Sequence, residues 1–583
     1  MINGFALNSQ PLNGTDQSGS SIPPESPEQP TPPTPIEPGN SFVWTVAVRI
    51  NGEDVTSRLT GQITIDREEG AAGLATFSIQ LSSGPVVPTD WIGRNVEIDF
   101  LFWRGDETRS ARRYTGQISD PTFDPFTRVI SFECTDSLQK RVEAMSIADI
   151  DALVGGLWSS DVFEVTEGRS HWDYASERLS TRPVSLDASP YGELRVTEWA
   201  AAAPAFIFGA GSTIYGSTSV ELAQLDNLTN VVVIEGGYRF PRLWQENNTY
   251  SWTSPQMGGH TMIGPGFCEW RTNSTELPTK AMVSEALTGS GQTLIGADWL
   301  PLPDSHPDPC DTGAPWINTF YPELLLGFTV NAARRWTQQV TEQYSIRIEA
   351  TASVAQAGEQ ITRERLALQI ENDQAEAWES DPITEAKPGG AHDLVDEVRR
   401  EAAINVLMNK ARTTILGAHR DTKVRIEVPA PMVVDVDLIH TLRVDDAGIK
   451  AVGKCSHIED TFDMTSGEAV TQITLSVQRG GDSIAVNDPL VMPPLTPLVD
   501  PPTGNTYAGL STQLSGRSSD PPFDEDLDGF SGSFDSYDPG TPERYPRRVK
   551  VTAPEIDEAR RNEHVNEVPA LIRISIPNDT LEL

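Results

Sequence analysis

Apolar and polar side chains alternate along the chain from about residue 42. In VAVRINGEDVTSRLTGQITI, residues 46–65, apolar residues recur at every second position on both sides of an Asn-Gly pair. A two-residue period interrupted by such a pair predicts a strand, a turn and a second strand. Further short strands are predicted at Thr76–Leu81, Val96–Phe102, Tyr114–Ser119 and Val129–Cys134. Short strands bounded by Gly, Pro, Asp or Asn are typical of a small barrel or sandwich, predicted here for residues 41–145.

A helical period replaces the alternation in residues 386–420. Apolar residues recur there at steps of three and four, acidic residues come early, and Gly417 stands near the end. This pattern predicts an amphipathic helix. The positions on its apolar face are Leu394, Val398, Ala402, Ile404, Leu407, Ala411 and Ile415. Strands resume at Lys423–Val428 and continue to Val477, so residues 421–482 are predicted to be part of a second barrel.

The interval of residues 146–385 has weaker patterns. NVVVIEGGYRFPRL, residues 230–243, predicts a hydrophobic strand followed by a Gly-Gly turn. PTKAMVSEALTG and the run near Leu324 suggest helices. Many Trp, Gly and Pro residues fit a loop-rich β domain with insertions. We therefore predict a loop-rich middle domain between two barrels, in a mainly β, multidomain protein with a few helices.

Two distant segments show the same order of residue types. GQISDPTFDPFTRVISFECTD begins at Gly116, and GKCSHIEDTFDMTSGEAVTQITLSV begins at Gly453. Each predicts a strand, a turn that carries Asp, Phe and Asp, and another strand. Two barrels of similar build would explain this likeness. A coincidence in turn composition is the alternative, because the shared letters are few.

The ends of the chain differ from these modules. Residues 1–40 are rich in proline, which removes backbone donors and favours an extended arm. Residues 483–548 are rich in Pro, Gly, Ser and Asp, and they contain too few apolar residues to offset the entropy of ordering, so they predict a linker. In residues 549–583, isoleucines alternate from Ile572 onward, which predicts a docking strand that needs a sheet to join.

The charge balance excludes some partners. Lys and Arg total 44 against 83 Asp and Glu, which gives a formal charge of −39. Such a balance argues against wrapping nucleic acid or resting on an anionic membrane. The N-terminus shows no basic region followed by an apolar run, so no secretory signal is expected. The most apolar stretch, residues 199–211, is too short to span a bilayer; we expect a buried loop or short helix there, with a plug or membrane-touching tip as the alternative.

The cysteines are four and lie far apart, at Cys134, Cys268, Cys310 and Cys455. None forms a CxxC pair, so neither a zinc ribbon nor a dense disulfide framework is indicated. We expect them to be buried thiols.

One acidic segment matches the spacing of a calcium loop. In DEDLDGFSGSFD, carboxylates stand at alternate positions, a glycine follows, and a further aspartate occupies the twelfth position. Alternate carboxylates can converge on one ion, and glycine permits the sharp turn. The candidate ligands are Asp524, Asp526, Asp528 and Asp535. The twelfth position is normally Glu and no helical pattern flanks the segment, so an acidic solvated linker is the competing interpretation.

Other patterns do not indicate catalysis. His171 and Asp173 could supply metal ligands or a general base, but no HExxH pattern and no second clustered ligand accompanies them, so a packing or surface role is expected. No GxSxG, Walker or dinucleotide motif follows a predicted strand. We predict that the protein is not an enzyme and that, apart from the calcium candidate, it carries no cofactor.

Several segments occur in a characteristic order. The early ones are VRINGEDVTSRLTGQITIDREEGAAGLATFSIQL, Trp91 with Gly93, YTGQIS and ISFECTDSLQK. The later ones are YRFPRL, the predicted helix, VRIEVPAPMVVDVDLIHTLRV and GEAVTQITLSVQRG. Together they resemble the baseplate hub, or tail-tip, proteins of tailed bacteriophages. The resemblance covers residues 42–145, residues 390–482 and the C-terminal strand, and it depends on pattern and order without a single diagnostic motif.

The resemblance implies a homotrimeric virion protein of the tail tip, made in the cytoplasm of the bacterial host. Each chain would supply two barrels of the tail-tube type, so that three copies imitate a ring of six. Such a hub closes the tube, contacts the tail tube or distal tail protein and the tape-measure protein, and anchors fibres or other tip proteins. It opens for the passage of DNA without binding it specifically, and an acidic lumen would not hold phosphates. Contact with the host cell envelope is a further implication.

Three other functions remain open at the level of sequence. A receptor- or glycan-binding adhesin would use the Trp-rich middle, Trp244–Trp316, as its recognition surface. A cell-wall hydrolase carried in the tip is a second alternative. A hexameric distal-tail adaptor is the third.

Overall fold

The computed structural model describes residues 32–37, 42–104, 107–253, 278–306, 313–317, 323–369, 383, 390–481, 487–497, 506–507, 510–513, 548–551 and 553–583. Strands dominate these residues and helices are few. Apolar side chains collect in several separate cores. The predicted fold class, mainly β and multidomain, is confirmed.

The first eight strands occupy residues 34–135. Their bounds are Thr34–Ile36 (β1), Val43–Ile50 (β2), Glu53–Asp54 (β3), Leu59–Glu68 (β4), Leu74–Gln80 (β5), Asn95–Arg104 (β6), Glu107–Asp124 (β7) and Val129–Thr135 (β8). Strands β2 to β8 form the first module, in the order β4-β5-β8-β7-β6-β2-β3. Alternate side chains point inward, as the two-residue period requires. They form one core, to which Val46, Ile63, Phe77, Phe100 and Phe132 belong.

A connecting unit follows the first module. It contains Leu138–Glu143 (α1), Ile147–Val154 (α2), His171–Leu179 (α3), Val184–Ala188 (β9), Leu194–Glu198 (β10), Phe206–Phe208 (β11) and Ser219–Glu221 (β12). The Oγ atoms of Ser146 and Ser170 accept hydrogen bonds at the starts of α2 and α3 and cap these helices. The apolar stretch 199–211 contains β11, whose Phe208 is fully buried, while Ala202, Ala203 and Ala210 are exposed, so the expected burial holds for part of this stretch. No helix in the described ranges is long and apolar enough to span a membrane.

The middle region is built on one long hairpin. Its elements are Val231–Thr253 (β13), Lys280–Gly289 (α4), Thr293–Pro301 (β14), Ser305–His306 (β15), Trp316–Ile317 (β16), Leu325–Ala350 (β17), Thr351–Ala357 (α5), Ile361–Gln369 (β18), Gly390–Asp393 (β19) and Glu397–Ala418 (α6). β13 pairs antiparallel with β17 along its whole length. The helix predicted near Leu324 is wrong, because β17 begins there. A short apolar run does not distinguish a buried strand from a buried helix.

Helix α6 is shorter than the predicted interval 386–420. It begins at Glu397, where the Asp396 side chain accepts a hydrogen bond from the Arg399 N–H. Residues 390–393 lie in β19 instead and pair with β13. Val398, predicted on the apolar face, is exposed. The periodic pattern therefore predicts the helix correctly but places its start too early, because residues 390–393 pair with the sheet instead of forming helix.

The second module uses strands from two parts of the chain. Its own strands are Thr422–Pro429 (β20), Thr441–Asp446 (β21), Ile449–Asp463 (β22) and Glu468–Val477 (β23). They pair in the order β21-β22-β23-β20, and β1, β11 and β12 from the preceding parts of the chain extend this sheet at its two ends. Residues such as Val424, Leu442 and Ile473 form a separate core.

The C-terminal segment joins the chain's own sheets. Its elements are Thr506–Tyr507 (β24), Leu510–Gln513 (β25), Arg548–Val551 (β26), Glu558–Arg561 (α7), His564–Ile574 (β27) and Leu581–Glu582 (β28). β27 pairs in parallel with β17, and β28 pairs with β22. Ile572, Ile574 and Ile576 are buried in the core beneath α6. The predicted docking strand thus has its partner sheet within the same chain.

Truncation of Ile572 tests whether β27 is part of this core. Ile572 is 4% exposed and its neighbour Leu571 is 45% exposed. Ile572→Ala is expected to lower the free energy of unfolding by about 2–5 kcal/mol, because it leaves a cavity. Leu571→Ala is the matched control and should change it by less than about 1 kcal/mol. Chemical denaturation of both variants measures the difference, and equal small losses would show that β27 is not packed as described.

Candidate assembly interface

The two modules are joined edge to edge by β4 and β22. Residues 62–68 of β4 pair antiparallel with residues 457–463 of β22. The same part of β22 also pairs with β23, and β4 also pairs with β5. The result is an unbroken run of eight strands in the order β12-β20-β23-β22-β4-β5-β8-β7. Two segments that are distant in sequence therefore build one continuous sheet.

Phe462 of β22 lies in the core of the first module. Its ring stacks on Phe100 with 4.9 Å between the ring centroids, and the Trp44 ring lies 6.0 Å away. Trp44 Nε1 also donates a hydrogen bond to the Gly467 carbonyl at 3.1 Å. The tip of the β22–β23 hairpin is thus part of the hydrophobic core of the other module.

A buried ion pair crosses the same junction. Arg113 of β7 donates from Nε and Nη2 to the two carboxylate oxygens of Asp460, at 2.8 and 2.9 Å. Thr471 Oγ1 donates to the same carboxylate at 2.6 Å, and Arg113 Nη1 donates to the Val434 carbonyl at 3.0 Å. Burial acts to lower the pKa of Arg113, but the adjacent Asp460 carboxylate outweighs it and raises the pKa above its ordinary value. All three guanidinium nitrogens of Arg113 and both carboxylate oxygens of Asp460 therefore have hydrogen-bond partners.

A second ionic group ties the junction to the connecting unit. Asp437 Oδ1 accepts from Arg67 Nη1 at 2.7 Å, and Asp437 Oδ2 accepts from Arg195 Nη1 at 2.6 Å. Arg195 Nε also donates to Asp187 at 2.7 Å. Burial acts to raise the pKa of Asp437, but the Arg67 and Arg195 guanidinium groups outweigh it and hold that pKa far below its ordinary value. Asp437 consequently links three parts of the chain.

The β7–β8 and β22–β23 hairpins share one local structure. Asp124 and Asp463 each accept a hydrogen bond from the N–H two residues on and from the hydroxyl three residues on. The distances are 2.9 and 2.6 Å at Asp124 and 2.7 and 2.9 Å at Asp463. The last loop residue has a positive φ in both hairpins, 56° at Arg128 and 76° at Gly467. The likeness in sequence therefore corresponds to a repeated hairpin.

Two glycines give a second point of equivalence. A Cβ atom at Gly116 would lie 2.6 Å from the Thr135 carbonyl oxygen, and one at Gly453 would lie 2.6 Å from the Ser476 carbonyl oxygen. Only glycine permits so close a backbone approach. The extra residue of a β-bulge stands three positions after each glycine. The two modules are thus equivalent along two strands as far as the bulge, and beyond it the β22–β23 hairpin is two residues longer on each strand than the β7–β8 hairpin.

One face of the eight-stranded sheet is polar, and the other packs into the two cores. Residues opposite each other in register point to the same face, so the polar positions form rows across the strands. The carboxylates on this face include Asp66, Glu68, Glu133, Glu221, Glu427 and Glu459, and its cations include Lys423 and Arg425. The face is therefore predominantly negative.

The calcium candidates Asp524, Asp526, Asp528 and Asp535 lie outside the described residues. Within the residues that the structure does describe, no group of three or more His, Cys, Asp and Glu side chains could hold a metal ion. The calcium site stays a sequence prediction.

Of the remaining candidates, His171, Cys134 and Cys455 have packing roles, and Asp173 is exposed. His171 Nδ1 lies 2.7 Å from the Met145 carbonyl oxygen and joins the start of α3 to the segment before α2. Cys134 and Cys455 are free, buried thiols, and burial raises the pKa of each to about 12. Cys268 and Cys310 lie outside the described residues.

Several solved structures are similar to this chain, although no protein-family model and no curated protein matches it. One is the tail protein from Neisseria meningitidis MC58, at 10% identity and a TM-score of 0.35, with 74% of this chain and 96% of that chain covered. Another is the 43 kDa tail protein of prophage MuSo2 from Shewanella oneidensis, at 10% identity, a TM-score of 0.34, and 74% and 97% coverage. The E. coli c3393 protein, a component of the type VI secretion system, is similar at 8% identity and a TM-score of 0.25, with 86% and 93% coverage.

These structures include tail proteins, the class that the resemblance in the sequence names. Each TM-score is below 0.5, so the overlap carries no argument about function.

Sequence patterns did not single out Arg113, Asp460 or Asp437. Arg113 and Asp460 are 347 positions apart, and nothing local to either residue names the other. One signal was present: Asp460 stands between Ile458 and Phe462 on the inward face of an alternating strand. A charge at an inward position predicts a buried partner, because unpaired buried charges are rare.

Loss of one partner should destabilise the junction more than loss of both. Arg113→Met leaves the Asp460 carboxylate buried and unpaired, and we expect the free energy of unfolding to fall by about 3–5 kcal/mol. The double variant Arg113→Met with Asp460→Leu removes both charges and should lose much less than the sum of the single variants. Denaturation of the four proteins in this cycle measures the coupling. Additive losses would show that the two side chains do not form a buried pair.

Asp437 should make stability depend on acid pH. Because its folded pKa is depressed, its contribution is fully present above the unfolded pKa of about 4 and is lost as the pH falls through the folded pKa. Asp437→Asn is therefore expected to melt at a lower temperature than the native protein at neutral pH, and the gap should narrow below about pH 4. Asp435→Asn, which changes an exposed carboxylate on the same loop, is the control. A gap that stays constant down to pH 2 would contradict the assignment.

Proposed function

We propose that the protein is a structural component of a bacteriophage tail tip, made in the cytoplasm of the bacterial host and carried in the virion. Its role is mechanical and not enzymatic. The observation that supports this most is the continuous eight-stranded sheet with a polar face, built from two equivalent modules of one chain. A sheet that is apolar on one side and polar on the other is suited to form the wall of an aqueous channel.

Three copies of such a sheet would enclose a wide channel. With three copies of eight strands, a spacing of about 4.8 Å and a tilt of about 40°, the closed wall is roughly 48 Å wide between opposing backbones. Because each chain carries two equivalent modules, three chains present six nearly equal units. Three copies can therefore sit beneath a tube of six subunits, as the resemblance to hub proteins implies.

The charge of the polar face fits the passage of DNA. Carboxylates outnumber cations there, so the wall offers few groups that hold phosphates. DNA could then move through the channel without a specific site. In this role the protein closes the tail tube, meets the tube or distal tail protein and the tape-measure protein, and anchors fibres or other tip proteins. It opens when DNA is released at the host cell envelope.

The mass of the purified assembly tests the proposal. We expect particles with three times the 63.6 kDa mass of one chain, measured by native mass spectrometry or light scattering. A mass of six chains would favour the hexameric distal-tail adaptor. A protein that stays monomeric at every concentration and is absent from purified virions would overturn the proposal.

A further inference from the structure

The eight-stranded sheet ends in two edges that no described strand covers. β12 pairs with β20 and with no other strand in the described ranges. β7 pairs with β6 only as far as Gln117, and beyond its bulge it pairs with β8 alone. Pro121 lies in that last stretch, and proline occurs in sheets chiefly at edges because it has no N–H to donate. Within one chain, both ends of the sheet are therefore open.

β12 occupies in the second module the position that β4 occupies in the first. Asp66 of β4 stands opposite Leu74 of β5, which stands opposite Thr135 of β8. The Thr135 carbonyl is the one that approaches Gly116 closely. In the same way, Glu221 of β12 stands opposite Lys423 of β20, which stands opposite Ser476 of β23. The Ser476 carbonyl is the one that approaches Gly453 closely. Asp66 and Glu221 are thus equivalent positions.

A backbone feature supports this alignment independently. Gly61 stands five residues before Asp66 and has a φ of 73°, and Gly216 stands five residues before Glu221 and has a φ of 78°. Such φ values are readily adopted only by glycine. The chain enters β4 and β12 through the same kind of turn.

We propose that the β12 edge of one copy pairs with the open edge of β7 in a second copy, in the register that β4 and β22 use within the chain. This proposal rests on the proposed ring and names the contact that closes it. Within the chain Thr64 stands opposite Thr461. Ser219 is equivalent to Thr64, because each stands two positions before the aligned acid. Asp124 is equivalent to Thr461, because each stands five positions after the bulge residue of its strand. Ser219 of one copy therefore lies opposite Asp124 of the next. Repetition of this contact turns the open sheet of one chain into a closed wall.

The same register brings together two exposed aromatic side chains. Phe126 is 96% exposed and Tyr215 is 103% exposed, the highest values among the large exposed hydrophobic residues of the described chain. Within the chain, the first residue of the β22–β23 loop, Met464, donates its N–H to the Gly61 carbonyl at 3.2 Å. Counted from the bulge, the residue equivalent to Met464 is Thr127, so the equivalent contact between copies places the loop that carries Phe126 beside Gly216, next to Tyr215. Two rings exposed in the monomer would then cover each other in the assembly.

A disulfide placed across the proposed contact tests the register. Opposite residues of an antiparallel pair lie about 4.5–5.5 Å apart at Cα, a separation that a disulfide can span. The full-length chain with Ser219→Cys and Asp124→Cys is oxidised, with Cys268 and Cys310 changed to Ser, and analysed on a non-reducing gel. We expect covalent dimers and trimers. Thr64→Cys with Thr461→Cys is the matched control within one chain, and it should give an oxidised monomer.

A third variant, Ser219→Cys with Val129→Cys, moves one cysteine a strand further into the sheet and should give no covalent oligomer. Assemblies of three chains by mass in which only the intrachain control forms its disulfide would overturn the proposed contact and leave the proposed function standing. Chains that stay monomeric by mass and form no disulfide between copies would overturn both. Covalent trimers from the first variant alone would support the contact.

Discussion

The fold depends on the contact between Arg113 and Asp460, because it fixes how the two modules meet. A buried carboxylate needs a partner with matching geometry, and the bidentate guanidinium of Arg113 supplies it from the other module. Alternative registers of β4 against β22 would leave one of these charges buried and unpaired. A shift by one residue would also turn Phe462 from the core of the first module to the polar face. The Arg113–Asp460 ion pair and the burial of the Phe462 ring together specify one register of β4 against β22.

That register determines the surface on which the proposed role depends. With β4 and β22 in register, the polar rows of both modules run without a break across eight strands. The apolar rows behind them fill two cores, and Phe462 and Ala430, from the second half of the chain, lie in the core of the first module. A continuous wall is thus a consequence of core packing at the junction.

Elements whose side chains face a single core are predictable from the sequence. Pairings between strands that are distant in the sequence are not. The strands near Val46 and Ile130 were predictable because alternation reports one buried face. The pattern of the run after Leu324 predicts a helix wrongly. Its residues are buried at successive positions, so the hydrophobic pattern does not distinguish a strand from a helix. The alternation near Ile572 predicted a strand but not its parallel partner β17, since register between distant strands has no local signal. The interface residues were hidden for the same reason.

Duplication within one chain changes the energetics of building a ring. Association of separate molecules loses translational and rotational freedom worth about 4–15 kcal/mol, a loss that a contact within a folded chain avoids. If six equivalent contacts close the wall, the three formed by β4 and β22 exist before assembly, and only the three remaining contacts join molecules. The β12 edge is short and the β7 edge carries Pro121, so each of those contacts is weak when taken alone. A weak contact repeated around a closed ring favours complete rings over open chains, because the last copy makes two contacts for one loss of freedom.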